Sequence, residues 1–142
     1  MGKRILVPVD ASEQAHHAAE FVTEEFPEAV VVFLHVINPA DAGYSAQASL
    51  PSFSEEWYEQ EQAKAENLFE ELQELADEAG VDVETAVEVG KPVRTIVEYA
   101  ENEEIDQIVM GSHGRSGVTR ILLGSVAEAV VRRSPVPVTV VR

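Results

Sequence analysis

The chain has 142 residues and a mass of 15.5 kDa, which predicts a single domain over residues 1–142 because domains commonly hold about 100 to 200 residues. Hydrophobic residues make up 45% of the chain and charged residues 25%, so a core can form and wholesale disorder is excluded. The net charge of −16 repels nucleic acid and anionic lipid, so we expect no nucleic-acid partner and no membrane partner.

The first 52 residues alternate between strand and helix patterns. The apolar run from Ile5 to Val9 predicts a strand, and Ser12 is a suitable cap for the helix that follows. The inward stripe of that helix is Ala15, Ala18, Ala19, Val22 and Phe26. Residues 29–37 form a continuous β-branched run, which is typical of a strand buried on both faces. Residues 38–52 indicate a loop that is long for a compact domain.

A long amphipathic helix is predicted over residues 54–79, ending at Gly80, because apolar residues recur there at helical spacing. Its ten acidic residues against Lys64 indicate a solvent-facing side, with a partner-binding surface as the less favoured alternative. The remaining predicted elements are a half-exposed or edge strand over 81–87, a helix entered through Gly90-Lys91-Pro92, a strand over 105–110, a helix over 125–133 and a strand over 136–141.

This order of elements predicts the fold class. It is an α/β protein with an open, parallel, five-stranded sheet and helices on both faces. Ligands of such sheets bind beyond the carboxyl ends of the strands, where the strand order reverses. Two segments fit that description, namely Pro8-Val9-Asp10 after the first strand and Met110-Gly111 at the end of the fourth.

The stretch from Gly111 to Ser125 carries the clearest binding signal. Glycines after a strand let main-chain N–H groups approach a ligand, and the helix that follows offers unpaired N–H donors and the positive end of its dipole. Both features suit a phosphate, and Ser125 could cap the helix and donate its hydroxyl to a phosphate oxygen. A plain turn with a capping serine is the alternative.

Four segments together resemble the universal stress protein family. They are Gly111-x2-Gly114-x9-Gly124-Ser125, Ile5-Leu-Val-Pro-Val-Asp10-x-Ser12, Val87-Glu-Val-Gly90-Lys-Pro92 and Ser134-Pro-Val-Pro-Val138. The resemblance covers essentially the whole chain and implies a Rossmann-like fold similar to that of adenine-nucleotide alpha hydrolases. The glycine pattern separates the ATP-binding branch of the family from the branch without nucleotide. The resemblance therefore implies ATP as the cofactor, with or without Mg²⁺ or Mn²⁺.

The resemblance also implies a set of nucleotide-binding residues. The set is Pro8, Val9, Asp10, Val36, Met110, Gly111, Gly114, Arg115, Gly124, Ser125 and Val126. Asp10 would hold the ribose hydroxyls, Val36 would contact adenine, and the segment at Gly124 would complete the phosphate cradle. The residue types agree with these roles, because a carboxylate accepts hydroxyl donors and main-chain amides suit an anion. A turn or helix-capping role for Asp10 is the alternative.

Other nucleotide signatures are absent from the sequence. There is no Gly-x4-Gly-Lys-[Ser/Thr] motif and no Gly-x-Gly-x2-Gly motif after the first strand, so neither an NTPase of ordinary strength nor a dinucleotide enzyme is expected. His16 and His17 are adjacent on a helix and point apart, so they form no metal pair. His35 is expected to be a hydrogen-bonded core group. We expect no catalytic residue and no metal-ligating side chain.

The last strand indicates a dimer. Residues 136–141 are apolar, yet they include Pro137, which a central strand does not tolerate, so this strand is expected at a sheet edge. An open apolar edge favours aggregation. We therefore expect it to pair with the same strand of a second copy about a two-fold axis, as members of the resembled family do.

Three functions are compatible with these features. The first is an ATP-binding stress-response module whose nucleotide changes its conformation or its unidentified protein partner, with at most slow hydrolysis. The second is an adaptor or structural dimer that uses no nucleotide. The third is a transferase or hydrolase, which is disfavoured because Arg115 follows His113-Gly114 where an adenylyl-transfer motif needs a second His.

The expected location is the cytoplasm. The chain has no Cys, which excludes a disulfide scaffold and is compatible with a reducing compartment. The apolar run at residues 5–7 is too short for the core of a signal peptide.

The acidic excess leads to a prediction about salt. Glu supplies 21 of the 26 acidic residues and Lys only three of the ten basic ones, a composition typical of proteins kept soluble at high salt. Our hypothesis is a halophilic source. At 1 M salt the Debye length is about 3 Å, which mutes self-repulsion, so the midpoint of urea unfolding should rise from low to molar salt. A midpoint that does not rise would indicate an ordinary acidic protein.

Overall fold

A computed structural model provides the structure of the chain and describes residues 2–10, 12–41, 55–112 and 123–142. Helices and strands alternate along the described residues. In chain order they are β1 (Arg4–Pro8), α1 (Glu13–Glu25), β2 (Val30–Ile37), α2 (Glu55–Ala79), β3 (Asp82–Val89), α3 (Pro92–Asn102), β4 (Gln107–Gly111), α4 (Ser125–Arg133) and β5 (Val138–Val141). None of these helices is long and apolar enough to cross a membrane.

The five strands form one parallel sheet in the order β3-β2-β1-β4-β5. The chain steps outward from β1 to β2 and β3, then returns to place β4 on the other side of β1. The strand order therefore reverses between β1 and β4. This confirms the fold class expected from the alternation of elements, including the edge positions of β3 and β5.

Helices cover both faces of the sheet, and each face has its own apolar core. On one face, Ile5 and Val7 of β1 pack with Phe33 of β2 against α1 and α2. On the other, Leu6 and Leu34 pack against α3 and α4. All five of these side chains have 0% exposure. The uninterrupted apolar runs of β1 and β2 follow from this, because side chains that alternate between two buried faces must all be apolar.

The ends of the helices are set by local chemistry that the sequence already displays. Ser12 caps α1, its hydroxyl accepting from the Ala15 N–H at 3.2 Å. Gly80 ends α2 with a φ of 72°, and the Val81 N–H donates to the Ala76 carbonyl at 3.0 Å, which is the Schellman pattern. Pro92 opens α3, where its missing N–H costs no hydrogen bond.

Some strand boundaries differ from the prediction. β5 begins at Val138 rather than at residue 136, because Pro137 has no N–H for the ladder and takes part only through its carbonyl, which accepts from the Ile108 N–H at 2.9 Å. β4 begins at Gln107, although Ile105 before it is buried in the core. In the predicted loop over 38–52, residues 39–41 are helical, and residues 42–52 lie outside the described residues.

The amino end of β1 is fastened to its neighbours. The Arg4 N–H donates to Asp106 Oδ2 at 2.8 Å, and the Arg4 guanidinium reaches across β2 to Glu84 Oε2 of β3 at 2.9 Å. The hydrogen bond with Glu84 raises the pKa of Arg4 above its ordinary value. These contacts hold the end of the sheet opposite to the one at which ligands of such folds bind.

The acidic residues of α2 lie outward, as expected. Nine of the ten predicted surface acids are exposed, namely Glu55, Glu56, Glu59, Glu66, Glu70, Glu71, Glu74, Asp77 and Glu78. The tenth, Glu61, is half-buried and pairs with Lys64 at 3.0 Å. Solvation thus explains nine of these carboxylates, and Glu61 has a different environment.

Candidate functional site

A cleft of about 630 Å³ opens at the carboxyl ends of β1, β2 and β4, where the strand order reverses. It brings together nine of the eleven residues in the expected nucleotide-binding set. These are Pro8, Val9, Asp10, Val36, Met110, Gly111, Gly124, Ser125 and Val126. The other two, Gly114 and Arg115, lie outside the described residues, as does His113.

Asp10 lies two residues beyond the end of β1 and lines the cleft. Its Oδ1 accepts a hydrogen bond from the Ser12 N–H at 2.9 Å, which forms a turn just before the cap of α1. Asp10 therefore is a turn residue, and Ser12 is the cap. An ionised carboxylate has about four acceptor positions, so this single bond leaves Asp10 with capacity to accept from a ligand in the cleft.

The opposite wall is formed where β4 joins α1 and α4. Gly111 lies against α1, and a Cβ built at Gly111 would be 2.7 Å from Gln14 Cβ and 2.9 Å from the Gln14 carbonyl oxygen. The carbonyl of Ser112 accepts from the Gly124 N–H at 2.7 Å, and the Ser112 N–H donates to the Val141 carbonyl at 2.9 Å. Gly111 thus allows α1 to approach closely, and Ser112 fastens the start of α4 to the end of β4.

The start of α4 differs from the expectation in one respect. Gly124, with φ −68° and ψ 160°, occupies the cap position, and Ser125 is the first helical residue, so the expected capping role of Ser125 is wrong. The Gly124 N–H is engaged by Ser112, and the first bond within the helix runs from the Glu128 N–H to the Gly124 carbonyl. The amides of residues 125–127 precede that bond and are the donors available at this end of α4.

His35 lies in a different environment from the one expected. It is hydrogen-bonded as predicted, with Nδ1 3.0 Å from the Val9 carbonyl oxygen. However, it is half-exposed rather than buried, and it lines the cleft. The reason is that β2 extends past the end of β1, so the side chain near the end of β2 faces the open edge of the core.

Several further residues line the cleft that the sequence did not assign to the binding site. They are Ser12, Ala15, Leu34, Ile37, Asn38, Asp41, Glu61, Lys64, Leu68, Pro92, Ile96, Ser112 and Ala127, in addition to His35. A signal existed for Glu61, since it lies on the inward stripe of α2 with Ala65 and Leu68, where a carboxylate is out of place. The described lining carries three carboxylates, Asp10, Asp41 and Glu61, and one ammonium, Lys64.

Comparison with known proteins agrees with this geometry. The model of the universal stress protein family matches residues 1–142. The chain belongs to the universal stress protein family. Universal stress protein MJ0577 of Methanocaldococcus jannaschii is 35% identical, with 100% of this chain and 96% of that protein covered. A second protein of that organism, universal stress protein MJ0531, is 36% identical over 99% of this chain and 82% of its own length.

Solved structures of this family share the fold. The structure of MJ0577 has a TM-score of 0.84 at 36% identity and covers 99% of this chain and 96% of its own. Universal stress protein UspA from Lactobacillus plantarum has a TM-score of 0.76 at 28% identity, covering 99% and 97%. A universal stress protein crystallised in complex with cAMP has a TM-score of 0.67 at 26% identity, again covering 99% and 97%.

The close approach of α1 to β4 generates a prediction. Gly111→Ala would place a methyl group within 3 Å of the main chain of Gln14, so the free energy of unfolding in urea should fall by about 1–3 kcal/mol, as for other overpacked sites. Combining it with Gln14→Ala should not restore stability, because alanine keeps the Cβ and the main chain that clash. Recovery in the double variant would mean that the end of the Gln14 side chain, and not the helix itself, limits the space.

Proposed function

We propose that this universal stress protein binds ATP in the cleft and acts as a nucleotide-dependent regulatory dimer in the stress response, with at most weak hydrolysis. The observation that carries the proposal is the meeting of the nine described residues of the expected set in one cleft at the reversal of strand order. The volume of about 630 Å³ is within the range of small-molecule sites, about 300 to 1,000 Å³. The proposed location is the cytoplasm, and the protein partner is unidentified.

The walls of the cleft suggest how the nucleotide would lie. Apolar groups of Pro8, Val36 and Met110 suit the adenine ring, and the Asp10 carboxylate suits the ribose hydroxyls. The amides at the start of α4 suit the phosphates, since they have no partner within the helix and lie at the positive end of its dipole. Gly124 would contribute space rather than its N–H, which Ser112 already engages.

Charge supports the same orientation. The described lining holds three carboxylates and one ammonium, so a triphosphate is disfavoured along most of it. The segment over 111–142 has five Arg and one acidic residue, a net of +4, whereas residues 1–110 have a net of −20. The phosphates would therefore lie at the end of the cleft formed by this segment, with Arg115 as a proposed contact.

A divalent cation would arrive with the nucleotide. Among the residues that the structure describes, no three His, Asp or Glu side chains lie together in a way that could hold a metal ion. Mg²⁺ is often bound through substrate phosphates and water with few protein ligands. Mg²⁺ or Mn²⁺ would in that case be held mainly by the phosphates and would reduce their repulsion by the acidic lining.

The relatives favour a nucleotide over the adaptor alternative. A universal stress protein that is 26% identical to this chain was crystallised with cAMP, which shares the adenine and ribose of ATP. An adaptor dimer that uses no nucleotide would have the same fold and would need no ligand in the cleft. Nucleotide content distinguishes the two, since protein purified without added nucleotide and then denatured should release adenine nucleotide if the proposal is right.

Calorimetric titration with ATP tests the site. Asp10→Ala should weaken ATP and adenosine alike by about ten- to a hundredfold, the value of hydrogen bonds to a charged group. Gly124→Val should weaken ATP far more than adenosine, because it fills space at the phosphate end. The backbone of Gly124 is extended, so valine there adds no conformational strain.

Glu101→Ala is the matched control for charge, since Glu101 is an exposed acid near the end of α3 and does not line the cleft. It should leave the affinity for ATP unchanged. Unchanged affinity in both Asp10→Ala and Gly124→Val would contradict the site, and a wild-type chain that binds no nucleotide would favour the adaptor.

The dimer is proposed to form through β5. This strand lies at the edge of the sheet, all four of its residues are half-exposed, and three of them are valines. The carbonyls of Pro137 and Val141 accept at 2.9 Å each from the N–H groups of Ile108 in β4 and of Ser112, which follows β4. Because alternate residues of a strand direct their main-chain groups to opposite sides, those of Val138 and Val140 face the open edge, where a second copy could pair.

Val140→Pro tests this arrangement, because proline removes an N–H that faces the open edge. By light scattering at micromolar protein and molar salt, the wild-type chain should have twice the mass of 15.5 kDa, and Val140→Pro should be a monomer. Val140→Thr keeps the N–H and the branched side chain and should stay dimeric. A monomeric wild-type chain would contradict the proposed dimer.

A further inference from the structure

Both main-chain polar groups of Val9 are hydrogen-bonded by residues of β2. Val9 follows β1, which ends at Pro8. Its N–H donates to the Leu34 carbonyl at 2.9 Å, and its carbonyl oxygen is 3.0 Å from Nδ1 of His35. One of the two hydrogen bonds is an ordinary continuation of the parallel ladder, and the other uses a side chain of the neighbouring strand. The peptide that leads into Asp10 is thus fixed by residues of a different element.

The contact with the Val9 carbonyl bears on which nitrogen of the imidazole ring acts as the donor. A carbonyl oxygen is an acceptor only, so the hydrogen bond requires that Nδ1 of His35 carries the proton. The ring is half-exposed and lines the cleft together with Ala15 and Leu68, which belong to α1 and α2. Histidine at this strand position supplies a hydrogen bond to the Val9 carbonyl that an apolar side chain would not.

Asp10 is constrained at two points, and His35 supplies the one on the main chain. The side chain of Asp10 is oriented by the Ser12 N–H, 2.9 Å from Oδ1. The peptide before it is oriented by the bond between His35 and the Val9 carbonyl. The hydrogen bond from Ser12 alone does not fix the position of the carboxylate, because a rotation of the Val9–Asp10 peptide would move the whole turn. The hydrogen bond from His35 opposes that rotation.

We propose that His35 is a positioning residue, which holds the Val9–Asp10 peptide so that the Asp10 carboxylate faces the ribose hydroxyls of the nucleotide. This role rests on the proposed function of the cleft. His35 acts through Asp10 rather than on the phosphates. Its effect on affinity therefore depends on the ribose hydroxyls being present in the ligand.

Two substitutions test whether the hydrogen bond of His35, rather than the size of its ring, is what matters. In His35→Asn the amide nitrogen is attached to Cγ, as Nδ1 is, and can donate to the Val9 carbonyl. In His35→Gln the amide nitrogen is one carbon further out and cannot take that position. Calorimetric affinity for ATP should fall by about three- to tenfold in His35→Gln, the range of one hydrogen bond, and should be closer to that of wild type in His35→Asn.

The decisive comparison uses 2′,3′-dideoxy-ATP, which lacks the hydroxyls. Wild type should bind it more weakly than ATP, and His35→Gln should bind it as wild type does. In an Asp10→Ala background, His35→Gln should cause no further loss of ATP affinity, since coupled residues are not additive. Thermal unfolding of each variant checks that it is folded. If His35→Gln does not fold, His35→Leu takes its place in the same comparison, again with His35→Asn as the variant that keeps the hydrogen bond.

The outcomes distinguish the inference from the function on which it rests. Equal losses for ATP and the dideoxy nucleotide, or an unaltered ATP affinity in His35→Gln, would overturn the positioning role and leave ATP binding in place. A wild-type chain that binds neither nucleotide would overturn the proposed function and, with it, this role.

Discussion

The unequal pairing of the central strand determines the rest of the structure. β1 pairs with β2 over all five of its residues, but with β4 only at Ile5–Gln107 and Leu6–Ile108. Beyond Leu6 the two strands no longer pair, and the helices that follow them in the chain, α1 and α4, lie on opposite faces of the sheet. The cleft lies at this separation. Parallel α/β sheets bind ligands at such a point because the loops that follow both strands begin there, and the helices after those loops present amides with no partner within the helix.

The residues that follow β1 and β4 form two walls of the cleft, and each is hydrogen-bonded by a neighbouring strand. After β1, the Val9 peptide is held by Leu34 and His35 of β2. After β4, Ser112 is held by Val141 of β5 and itself holds Gly124 of the α4 cap. A bound ligand would therefore meet main-chain groups that are already ordered, and preorganised groups cost less entropy on binding than flexible ones do.

Charge is divided between solvent and site. The outward carboxylates of α2 account for much of the net charge of −16, and they act on solubility rather than on fold. Glu61 and Lys64 belong to the same helix, but they line the cleft and pair with each other at 3.0 Å. The overall acidity of the chain thus says little about the ligand, while the basic segment over 111–142 lies in the part of the sequence proposed to hold the phosphates.

The sequence by itself determined the features that a local pattern displays, namely the cap at Ser12, the end of α2 at Gly80 and the two-sided burial of β2. The order of its strand and helix patterns determined the fold class. The sequence could not assign the cap of α4 correctly, because both Gly124 and Ser125 are acceptable there and the bond from Gly124 to Ser112 decides between them. Nor could it place His35, whose partner Val9 is 26 residues away. The tertiary structure decided which strand ends meet and which side chains share the cleft, because those contacts join residues that no local pattern connects.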